Sequence, residues 1–80
     1  MKSYTRYIIQ FEDGAFAYLE DDGYNTFQVH AYIYPTCGYF YTHHEAEMFF
    51  NELVSPKKFK FHGYNRKPKS IRKVTITLDD

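Results

Sequence analysis

The dipeptide Asp13-Gly14 sits between two segments of alternating side chains, and that arrangement constrains the fold more than any other feature. From Thr5 to Phe11 every second residue is large and apolar or aromatic (Tyr7, Ile9, Phe11), the period of a strand. Asp-Gly suits a two-residue type I′ turn, whose central residues need positive φ. Ala15 to Glu20 then returns as the second strand. With this loop length Glu12 faces Ala15, Phe11 faces Phe16 and Ile9 faces Tyr18. Tyr7, Ile9, Phe11, Phe16 and Tyr18 are thus expected on one sheet face.

A second turn signal, Asp21-Asp22-Gly23, precedes a long alternating run from Tyr24 to Tyr34. Phe27, Val29, Ala31 and Ile33 fall on one face of this expected third strand. Thr26, Gln28, His30, Tyr32 and Tyr34 fall on the other. Pro35-Thr36-Cys37-Gly38 breaks the run, and Tyr39-Phe40-Tyr41 reads as a short strand or as the approach to a helix. Thr42-His43-His44-Glu45 has the form of a capping box, with Tyr41 placed to staple onto Ala46. Ala46, Phe49, Phe50, Leu53 and Val54 make one apolar helical stripe, and Ser55-Pro56 ends it. Phe59 and Phe61 alternate with Lys58, Lys60 and His62. Val74, Ile76 and Leu78 alternate with Lys73, Thr75 and Thr77. The expected architecture is α+β: one domain over residues 1–80, an antiparallel sheet of about five strands with one helix on its apolar face, in the order β-β-β-(β)-α-β-β.

Composition limits the classes of function. The chain holds 8 Phe and 9 Tyr, 21% aromatic, so it is no disordered tail. No apolar run approaches the roughly 18 residues of a spanning helix, so no membrane association is expected. Met1 to Arg6 leads into alternation without a secretory apolar stretch, and the single Cys37 allows no internal disulfide. A cytoplasmic location follows as the expectation. Net charge is zero, but residues through Val54 carry −6 and residues from Ser55 carry +6.

Catalytic and metal chemistry find little support. His43 and His44 lie at i, i+4 and i, i+3 from Glu47, a helical spacing that could chelate a metal only with a further ligand from His30 or His62. Cys37 has no local activating group to make it a nucleophile. No Ser-His-Asp, phosphate-loop or paired-carboxylate motif is present. A non-enzymatic protein without metal or other cofactor is therefore expected.

Two binding surfaces are expected instead. One small sheet with one helix covers only one face, so tyrosines on the opposite alternation stay exposed: Tyr24, Tyr32, Tyr34, Tyr39 and Tyr41 are the candidate partner-binding residues. A homodimer through sheet faces or edges is a further arrangement of the same kind. The second surface is the basic stretch Lys57, Lys58, Lys60, Arg66, Lys67, Lys69, Arg72 and Lys73, interleaved with Phe59, Phe61 and Tyr64. Cations there can meet RNA or DNA phosphates while rings stack on bases. Alternatively, Phe59 and Phe61 belong to the core and the lysines guard an edge strand.

Two segments carry a resemblance. Tyr7-Ile8-Ile9-Gln10-Phe11-Glu12-Asp13-Gly14 and Thr42-His43-His44-Glu45-Ala46-Glu47-Met48-Phe49-Phe50 resemble small orphan proteins encoded by phages and other mobile elements. The resemblance implies an inhibitor of host defence, of the anti-CRISPR kind, that covers a host protein or a protein–nucleic-acid complex. It assigns no residue a role. The basic C-terminal third departs from the acidic, DNA-mimicking members of that group.

Overall fold

The computed structural model describes residues 2–79. Among these residues the chain forms β1 (Lys2–Phe11), β2 (Phe16–Asp21), β3 (Thr26–Tyr32), α1 (His43–Val54), β4 (Lys60–Gly63) and β5 (Pro68–Leu78). The five strands make one sheet in the order β4-β3-β2-β1-β5. The α+β class and the single helix agree with expectation, but the sheet is mixed. β3 and β4 run parallel, with Phe27 opposite Phe61, while every other pairing is antiparallel. The reason is connectivity. The helix lies between these neighbouring strands in the chain, and such a crossover returns the chain to the end from which β3 began.

The first hairpin is one residue out of the expected register. Gln10, not Phe11, lies opposite Phe16. Asp13 Oδ1 accepts from the Ala15 N–H at 3.1 Å, and the Phe11 N–H donates to the Ala15 carbonyl at 2.8 Å. The loop is therefore Glu12-Asp13-Gly14, three residues, with the Gly14 N–H donating to the Phe11 carbonyl and Gly14 at φ 92°. The Asp13 side chain captures the N–H that a two-residue loop would have given to Glu12.

A shift of one residue exchanges the two faces of β2. Ala15, Ala17 and Leu19 join Tyr7, Ile9 and Phe11 beneath the helix, and Phe16 and Tyr18 turn to the opposite face. The expectation that Phe16 and Tyr18 belong to the helix-side core is thus corrected. The small side chain of Ala17 leaves room there: Ala46 of the helix is fully buried over the same cluster.

The third strand is shorter than expected, Thr26–Tyr32, but its faces hold. Phe27, Val29 and Ala31 point to the helix, whereas Ile33, beyond the strand, is exposed. Thr42 caps the helix as expected, its hydroxyl accepting from the Glu45 N–H at 3.1 Å, a contact worth about 1 kcal/mol. Ala46, Phe49, Phe50 and Leu53 form the inward stripe, but Val54 at its end is exposed. Tyr41 does not staple onto Ala46 but stays exposed, with the Arg6 guanidinium 4.5 Å from its ring centroid. Under the helix the phenylalanines interlock: Phe49 stacks on Phe40 and on Phe59, each at 5.2 Å, and meets Phe27 edge-on at 5.3 Å. Such pairs contribute about 0.5–1.5 kcal/mol each beyond area burial.

Of the expected short strand at Tyr39–Tyr41, only Phe40 pairs. It forms a single antiparallel bridge with Tyr7 of β1. From β4 the chain crosses to the far edge of the sheet along residues 64–67. The Tyr64 N–H donates to the Val29 carbonyl, its ring lies 5.1 Å from that of Phe11 and its hydroxyl meets Asp13. The Glu12 N–H donates to the Lys67 carbonyl at 3.0 Å.

Candidate binding surface on the open sheet face

Strand alternation and register determine which side chains stand on the face away from the helix. They are Lys2, Tyr4, Arg6, Ile8 and Gln10 of β1; Ser70, Arg72, Val74, Ile76 and Leu78 of β5; Phe16, Tyr18 and Glu20 of β2; Thr26, Gln28, His30 and Tyr32 of β3; and Lys60 and His62 of β4. The centre of this face is aromatic. Phe16 lies opposite Tyr32 and Tyr18 opposite His30. The Tyr18 and His30 rings are stacked at 5.6 Å, and Tyr32 lies 6.3 Å from Tyr18 and 6.4 Å from His30. Ile8 of β1 is fully buried, whereas Tyr32, Tyr4 and Leu78 are exposed.

Charges frame the aromatic centre. Arg6 lies over the Tyr41 ring at 4.5 Å and near the Tyr4 ring at 5.5 Å. Arg72 donates to Gln10 Oε1 at 2.8 Å. His30 meets Glu20, and His62 meets Asp22 of the β2–β3 turn, each at 3.1 Å.

The structure separates the tyrosines that the sequence groups together. Tyr32 stands on the open face, and Tyr41 joins it through Arg6. Tyr24 lies in the β2–β3 turn, fully exposed and at φ 52°. Tyr34 is exposed in the loop after β3, and Tyr39 is half-buried with its hydroxyl donating to the Pro35 carbonyl. Sequence reasoning missed Phe16, Tyr18 and Tyr4 as open-face residues. The signal for the first two was the length of the Asp13-Gly14 loop, and Asp-Gly serves both the two- and the three-residue form.

The basic stretch is dispersed as well. β4 and β5 occupy opposite edges of the sheet. Lys57 and Lys58 lie in the loop after the helix, and Arg66 and Lys67 lie in the crossing between β4 and β5. Lys69 falls at the irregularity where the ladder passes from Gln10–Ser70 to Phe11–Pro68, and Lys73 stands on the helix side opposite Tyr7. Only Lys60 and Arg72 reach the open face. Phe59 and Phe61 belong to the helix-side aromatic cluster.

The loop with Lys57 and Lys58 has a structural anchor. Glu52, a buried helix residue, receives on one carboxylate oxygen the N–H groups of Lys57, Lys58 and Phe59 at 3.0, 2.9 and 3.1 Å. The Lys57 hydrogen bond, then that of Lys58, holds the Glu52 carboxyl below its ordinary pKa, outweighing the upward pull of desolvation. A cleft of about 420 Å³ opens beside this loop, lined in part by Leu53, Pro56, Phe61 and Tyr64. His43 Nδ1 sits 2.7 Å from a Glu47 oxygen, but no group of three or more His, Cys, Asp or Glu side chains that could hold a metal gathers among the described residues. Cys37 is half-buried in the loop before the helix. Among the described residues no helix is long and apolar enough to cross a membrane.

No protein-family model, curated protein or solved structure matches this chain.

Proposed function

We propose that the protein is a non-catalytic binding module whose working surface is the open sheet face. It acts by stoichiometric cover of a host partner, as in the phage and mobile-element inhibitors that its first strand and turn and its capped helix resemble. Inhibition of a host nuclease complex of the CRISPR kind is the sharpest form of this reading. The observation that carries it is the Phe16, Tyr18, His30 and Tyr32 group, aromatic and central on a face that no helix covers. Rings of this kind supply large contact area at low entropic cost, and they dominate protein recognition surfaces.

The test is capture from host lysate with two tagged variants beside the unmodified protein. Tyr32→Ala with Arg6→Glu alters the open face. Tyr24→Ala with Tyr34→Ala alters the exposed loop tyrosines. Loss of the captured partner in the first variant alone supports the open face. Loss in the second alone, or in neither, overturns it.

A further inference from the structure

We infer that the open sheet face binds single-stranded nucleic acid, with its aromatic centre as a stacking platform and its framing cations as phosphate contacts. The inference rests on the open face being the working surface, and it names the chemistry of what that surface takes.

Folding sorts charge in a way the linear sequence conceals. The chain has 10 basic and 10 acidic residues. The strands place Lys2, Arg6, Lys60 and Arg72 on the open face but only one acid, Glu20. With Asp22, which meets His62 from the turn, and with His30 and His62 neutral, the face carries four cations against two acids. Two of the four cations, Lys2 and Arg6, come from the half of the chain that is net acidic. A neutral protein thus presents a cationic face, which complements a polyanion.

The position of the cations favours a strand of nucleic acid over an acidic protein. Lys60 is on the β4 edge and Arg72 on β5, the opposite edge. β1 and β2 pair only at Gln10–Phe16, and Phe40 bridges Tyr7 on the flank of β1 away from β5, so these edges lie further apart than the roughly 19 Å of five evenly paired strands, with the rings between them. A single strand crossing this face sets phosphates against the outer cations and bases against Tyr18, His30 and Tyr32. Cationic surface that tracks a backbone, together with rings that stack on bases, is the recurring solution for single strands. A duplex keeps its bases stacked internally and offers the rings nothing.

The test is fluorescence anisotropy with labelled 15-nucleotide oligo-dT, oligo-U and a 15-base-pair duplex. Binding to the single strands is expected, with a slope of log K against log salt of roughly −3 if all four cations take part. Tyr32→Ala should weaken it about tenfold. Lys60→Glu and Arg72→Glu should each weaken it at least as much, whereas Lys67→Glu and Lys73→Glu, off this face, should change it less than threefold. Circular dichroism confirms that each variant is folded. No binding of single strands at 25 mM salt overturns the inference, as does duplex binding of equal affinity or equal loss from the off-face charge reversals. If nucleic acid does not bind while Tyr32→Ala with Arg6→Glu abolishes capture of a host protein, this inference falls and the binding-module reading stands.

Discussion

Phe40 and Tyr7 exchange both of their backbone hydrogen bonds: Tyr7 N–H to the Phe40 carbonyl at 3.0 Å, and Phe40 N–H to the Tyr7 carbonyl at 2.7 Å. The bridge carries Phe40 into the core, stacked on Phe49, although it lies outside every regular strand. Two residues earlier, Gly38 passes so close to β2 that a Cβ would sit 2.4 Å from the Ala17 carbonyl oxygen, and its φ is 83°. The loop before the helix is thus locked to both strands of the first hairpin.

Gly38→Ala should therefore unfold the protein at much lower urea than Gly14→Ala. Both glycines have positive φ, but a Cβ at Gly14 meets nothing within 4 Å. Gly14→Ala bears only the left-handed backbone cost, about 1–2 kcal/mol. Gly38→Ala adds a backbone clash and should exceed that by at least about 2 kcal/mol. Equal midpoints for the two variants would contradict the close approach.

The hairpin register makes a second prediction. Ala17 is buried beneath the helix and Phe16 faces away from it. Ala17→Leu should overpack the core and cost about 1–3 kcal/mol, whereas Phe16→Leu should cost less than about 1.5 kcal/mol. In the register with a two-residue loop, the ranking would reverse. Urea melts of the two variants decide between them.

Asp13 should prove to be the residue that sets this register. One of its oxygens accepts from the Ala15 N–H and the other meets the Tyr64 hydroxyl. Asp13→Ala should cost about 1–3 kcal/mol. Asp13→Asn keeps an oxygen for Ala15 and should recover part of the loss. A proton NMR spectrum checks the variant at the Ala15 amide, whose exchange with solvent should quicken in Asp13→Ala alone.

Acid should weaken the fold through Glu52. Its folded-state pKa is lowered from the ordinary value of 4.5 by the Lys57 and Lys58 N–H groups. A depressed carboxyl contributes stability that is fully present above the unfolded pKa and is lost as pH falls through the folded one. The unmodified protein should lose stability below about pH 4.5, more steeply than Glu52→Gln, in urea melts at a series of pH values. Equal slopes would mean that the three N–H groups do not select the charged form.

The local elements of this protein were legible in its sequence because their causes are local. Thr42 and Glu45 mark the helix start, Ser55-Pro56 its end, and the alternation from Phe27 to Ala31 gives β3 its two faces. The tertiary structure decided what depends on distant partners. The direction of β4 follows from which strand it joins, and the same residues could have met another edge. The faces of Phe16 and Tyr18 hang on one loop residue, because side chains alternate with period two and a single slip moves them all. The −6 and +6 halves are visible in the chain, but β4 and β5 carry the basic half to opposite edges. Arg6 and Lys2 of the acidic half then join Lys60 and Arg72 on one face. Charge along a sequence is a sum over neighbours in the chain. Charge on a surface is a sum over neighbours in space, and strand order alone converts one into the other.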